Sequence, residues 1–175
     1  MRKQRGKYGD KQGGQRGRPR SNRPEVDLGT PELRMKRLAA LGAPRPNWPA
    51  PDPNAAENVL GILLWQGFLH GTYEQSKRMH DAGVAFCGWW VLVHPKTYTQ
   101  GTLGRFAAGG STVVDAEAAE ANLKSASAYI GKERAVLDAV INTCVYQRVN
   151  LRNMEKLRTG LCRLVEWRKQ GRRVG

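Results

Sequence analysis

The chain has 175 residues and a formal net charge of +14, from 29 Lys and Arg against 15 Asp and Glu. That length suits one ordinary core with tails, and so large a basic excess in a soluble chain points to a polyanionic partner, nucleic acid before membrane surface. The longest apolar run, Val84 to Val93, is about half of what a bilayer span needs, and the basic N-terminus lacks the apolar stretch of a secretory signal.

Residues 1–24 hold nine Lys and Arg, one Asp and almost nothing apolar, so this arm is expected to be disordered on its own. Within it, Arg16-Gly17-Arg18-Pro19-Arg20 resembles the core of an AT-hook. Glycine and proline hold an extended backbone close to the groove floor, and Arg16, Arg18 and Arg20 enter the negative potential of an A·T-rich minor groove. Generic phosphate or RNA contact is the alternative.

Residues 25–53 read as a short helix and a connector. Thr30 is a helix N-cap with Pro31 at the first helical position, and Gly42 is the stop. The five prolines of residues 43–53 impose an extended connector, with Trp48 as its anchor on the main body.

Residues 54–175 read as a helical core. Residues 54–69 are apolar nearly all round and predict one central helix. Thr72 with Gln75 predicts a capping box for a helix from Tyr73 to about Val93, with Met79, Ala82, Phe86, Trp90 and Val93 facing inward. Residues 95–114 show no periodicity and read as a long loop. Asp115 is expected to cap a strong helix former that breaks near Gly131. No segment alternates as a strand does, so the fold class is all α: a compact helical domain, ending in a helix-turn-helix-like pair, behind a disordered basic arm.

That closing pair carries the functional reading. Val136, Leu137, Val140, Ile141 and Cys144 form one stripe of the first helix. A tight turn follows, and Asn150 caps the second helix. There, Met154, Leu157, Leu161, Leu164 and Val165 face inward, while Arg152, Lys156, Thr159, Arg163 and Gln170 project oppositely and Arg158 and Lys169 flank the stripe. An outward face of Arg, Lys, Thr and Gln carries the side chains that meet phosphates and base edges in a major groove; a merely solvated face is the alternative.

Cys87, Cys144 and Cys162 are odd in number and widely spaced, as reduced core or near-core thiols of a cytoplasmic protein are. His70, His80 and His94 lack zinc-ligand spacing, so neither metal nor cofactor is expected. No nucleophile motif or clustered acidic pair argues for an enzyme.

The order of segments resembles a family of small helical proteins of alphaproteobacteria and their phages. Its marks here are Gly29-Thr30-Pro31-Glu32-Leu33, Leu60-Gly61-Ile62-Leu63-Leu64, Gly67-Phe68-Leu69, the Ala82-Gly83 pair and the closing Arg158-Thr159-Gly160-Leu161 with Leu164. The closing segment is also similar to the helical activators of gene transfer agents. That resemblance implies a non-enzymatic, nucleoid-associated transcription factor that binds DNA, RNA polymerase or both, as an activator or antiterminator. Homo-oligomerisation fits its apolar second and third helices. Two other readings stay open: an RNA-binding or ribosome-associated structural protein, and a small terminase subunit that packages DNA as a ring.

Overall fold

A computed structural model describes residues 30–95 and 116–171, and all the regular structure there is helical. The arm with Arg16, Arg18 and Arg20, the loop after Pro95 and the Asp115 cap lie outside the described residues. None of the described helices is long and apolar enough to cross a membrane.

Helix α1, Pro31–Leu41, begins as its sequence predicts. Thr30 Oγ1 accepts from Leu33 N at 3.3 Å, Pro31 needs no donor partner there, and Gly42 ends the helix at a φ of 85°. Of its residues only Leu41 is buried. The helix is tied down instead by Arg37, which donates to Asn54 Oδ1 at 3.2 Å and pairs with Glu57, and by Gln66 Nε2, which donates to the Ala40 carbonyl. Trp48 anchors the proline connector as expected, packing on Trp65 and Tyr73 with the Arg45 guanidinium over its ring.

The single central helix expected over residues 54–69 is divided. Pro53–Glu57 forms a 3-10 turn, Asn58 is extended, and α2 covers only Val59–Trp65. Asn58 is the cause: its side-chain oxygen accepts from Gly61 N at 2.6 Å, which starts a new helix rather than continuing the old turn. The Ala55 carbonyl then occupies the space where a Gly61 side chain would stand.

Helix α3, Tyr73–Val93, buries Met79, Ala82, Phe86 and Cys87. The Thr72 capping box does not form. The His70 ring takes both Thr72 N and Thr72 Oγ1 at 3.2 Å, so the threonine hydroxyl makes no cap bond. Helix α4, Ala116–Ile130, stops before Gly131. Helix α5, Arg134–Val140, runs into a π-helical turn over Ile141–Val145. After a loop and a 3-10 turn over Leu151–Asn153 comes α6, Met154–Gly171.

Helix α6 is the hub. It packs against α3, α4 and α5, and all five residues of its predicted stripe are buried. Two glycines set these approaches. A Cβ on Gly160 would come inside 3.0 Å of Val140 Cγ2 on α5, and one on Gly83 would press on Leu60, Leu161 and Cys144. The core is one contiguous cluster drawing on every helix.

Candidate nucleic-acid interface

A cation can meet phosphate only if the fold leaves it unspent, so each predicted contact residue is best judged by what already holds it. Arg163 is spent. Its guanidinium donates to the Ile130 carbonyl at the end of α4 at 3.1 Å and to Glu133 at 2.8 Å, and its side chain is 24% exposed. The reading of Arg163 as an outward contact is therefore corrected: it clips α6 to the α4–α5 junction. Gln170 likewise turns to α4, donating to Tyr129 Oη, beside Trp167 on Ser125. Arg158 is exposed, yet its Nε donates to the Phe68 carbonyl at 2.6 Å.

With Arg163 and Gln170 turned to α4, the α6 residues opposite the apolar stripe are Glu155, Lys156, Thr159 and Glu166 by helical spacing. Glu155 and Glu166 are exposed, and two carboxylates on that face repel a phosphate backbone. The helix therefore presents to a major groove a mixed face, with Lys156 between two carboxylates, and not a uniformly basic one.

The connection before it also departs from a helix-turn-helix. Such motifs use three or four residues, whereas here Tyr146 to Asn153 intervene between the π-helical turn and α6. Asn150 does cap, but it caps the 3-10 turn, accepting from Arg152 N at 3.0 Å. Arg152 consequently sits ahead of α6 rather than on it. Arg152 and Lys156 are exposed, as is Arg148 in the same connection, and none of the three forms an ion pair among the described residues. Arg148 follows no periodicity, so nothing in the local sequence marks it as a contact residue.

A second basic patch lies in the cleft of about 440 Å³ between α3 and α6, lined by Arg78, Asp81, Arg168 and Lys169. Lys77 and His80 both bond the Asp81 carboxylate. Burial pushes that carboxyl up, but these two partners more than offset it and hold it below its ordinary value. Arg168 donates to the Asp81 carbonyl at 3.1 Å. Lys169 and Arg78 are exposed, with no ion pair among the described residues.

Two of the three thiols are shut away in the core. Cys87 and Cys144 are buried and unbonded, and burial pushes Cys87 up to about 12 and Cys144 higher still. Among the described residues no cluster of His, Cys, Asp or Glu could hold a metal ion. No known protein family, curated protein or solved structure matches the chain.

Proposed function

We propose that this protein is a non-enzymatic regulator of transcription that binds nucleic acid, with DNA favoured over RNA. The arm of residues 1–24 and the connection into α6 supply the contacts, and RNA polymerase is the expected protein partner. The observation that carries the reading is the grouping of Arg148, Arg152 and Lys156, exposed and unpaired, on the connection before α6 and the first turn of that helix, in a chain with net charge +14. Arg37, Lys77, Arg134 and Arg163 each meet a carboxylate, and these three, among the described residues, do not. Three neighbouring cations left without a carboxylate suit a polyanion.

A second reading has one observation in its favour. The carboxylates of Glu155 and Glu166 on the outward face of α6 are unfavourable for a helix laid in a DNA major groove and are compatible with contact through the turn alone, as an RNA-binding structural protein would make. Purification without nuclease, followed by sequencing of the retained nucleic acid and identification of retained proteins, separates the two. The first predicts enriched short DNA sites together with RNA polymerase subunits. Bulk ribosomal RNA without enriched sites would overturn it.

A further inference from the structure

The connection between α5 and α6 borders a half-open cavity of about 250 Å³. Asn142, Asn150 and Asn153 line it together with Arg148, over apolar walls that include Ala139 and the buried Leu157. The amides of Asn142 and Asn153 make no hydrogen bond among the described residues, and Asn150 uses only its oxygen. Three asparagines, whose carboxamides can donate and accept, thus line the same cavity as one arginine.

The walls are held in place. Gln147 takes a φ of 54°, a left-handed conformation uncommon outside glycine. Its side chain is stapled at both ends: Nε2 donates to the Cys144 carbonyl, and Oε1 accepts from Val59 N of α2, each at 2.8 Å. Arg148 N donates to the Asn142 carbonyl at 2.9 Å. The π-helical turn over Ile141–Val145 closes with Tyr146 N on the Ile141 carbonyl at 3.3 Å. Wide turns of this kind gather at functional sites, as do residues held in sparsely populated backbone conformations.

We infer that this cavity takes one unpaired nucleotide, its base edge read by the Asn142 and Asn153 amides and its phosphate met by Arg148. The inference rests on the nucleic-acid reading above and makes it more specific. Carboxamides recognise base edges by paired donor and acceptor contacts, and an unstacked base has its edge free for such contacts as a duplex base does not. Tyr146, on the same connection and 45% exposed, offers a ring for stacking a neighbouring base. Arg152 and Lys156 continue the positive surface along the strand that would follow.

The test measures binding of the full chain to labelled single-stranded homopolymers of each base, in DNA and RNA, and to a duplex of equal length. The chain carrying Asn142→Ala and Asn153→Ala is measured beside it. The expected result is a preference of about tenfold for one base in single strands, lost in the double variant while general affinity persists through the arm and the cations. Asn153→Asp, of the same shape but without the amide donor, should shift the preferred base and guards against a folding defect in the double variant. Displacement of the strand by the matching free mononucleotide would assign the cavity to a nucleotide ligand; preference without displacement would assign it to a strand. Equal binding of all bases, or a preference unchanged in the variants, overturns the inference. If duplex binding then survives and depends on Arg152 and Lys156, the transcription-regulator reading stands without it; binding to no nucleic acid at all removes both.

Discussion

Replacing Gly160 with alanine tests how α6 is seated, because two effects of opposite sign meet there. At an exposed helix position the change would stabilise by about 1 kcal/mol, the difference in helix propensity. In this fold the added methyl would stand inside 3.0 Å of Val140 Cγ2 and 3.1 Å from Val136 Cγ1. Both neighbours are β-branched residues on a helix, held to essentially one rotamer, so they cannot swing aside. Overpacking of a filled core costs about 1 to 3 kcal/mol, and with two stiff neighbours the upper part of that range applies. The net expectation is a loss of about 2 kcal/mol. Urea unfolding followed by circular dichroism reads it as a lower midpoint at unchanged slope. A variant as stable as the parent or more so would mean that α5 and α6 do not approach at Gly160, and the placement of the connection between them would fall with it.

The other expectations are quickly checked. Arg163→Ala should lower stability by about 1 to 2 kcal/mol, since the Ile130 carbonyl loses a charged donor, whereas Lys156→Ala should stay within about 0.5 kcal/mol; equal effects in urea unfolding would return Arg163 to the free surface. In native protein at pH 8, with the Cys87 thiol pushed up to about 12, only about one molecule in ten thousand carries the thiolate. A thiol reagent should therefore modify half-buried Cys162 first and reach Cys87 and Cys144 only on unfolding, as mass spectrometry of the labelled peptides would show; early modification of Cys87 would contradict its burial.

What was legible in the sequence is what depends on local spacing. The stripe from Met154 to Val165 is buried as its period requires, the Thr30-Pro31 start and Gly42 stop are where capping chemistry puts them, and the helix break at Gly131 is real. The failures are places where a distant or competing partner decides. Nothing near Arg163 announces that the carbonyl of Ile130 will claim it, and His70 captures Thr72 before the hydroxyl can cap. Asn58 divides the central helix because its side chain offers Gly61 N a better acceptor than continuation would. The π-helical turn and the left-handed Gln147 are invisible for the same reason: Gln147 is held by Val59 N, far away in the chain. Glycines inside good helical patterns, Gly61, Gly83 and Gly160, were the available hint of close approach, and each is such a site. The candidate site was thus half legible, with its basic residues visible and their availability not.

The central claim is that the free cations of the α5–α6 connection and the first turn of α6 meet phosphate, and the salt dependence of binding measures this most directly. Each phosphate contact contributes about 0.9 to the slope of log affinity against log salt on duplex DNA. Replacing Arg148, Arg152 and Lys156 together with glutamine should therefore flatten the slope by about 1 to 3 while the thermal transition stays unchanged. An unaltered slope in the folded triple variant would contradict the account and leave the arm of residues 1–24 to carry nucleic-acid binding alone.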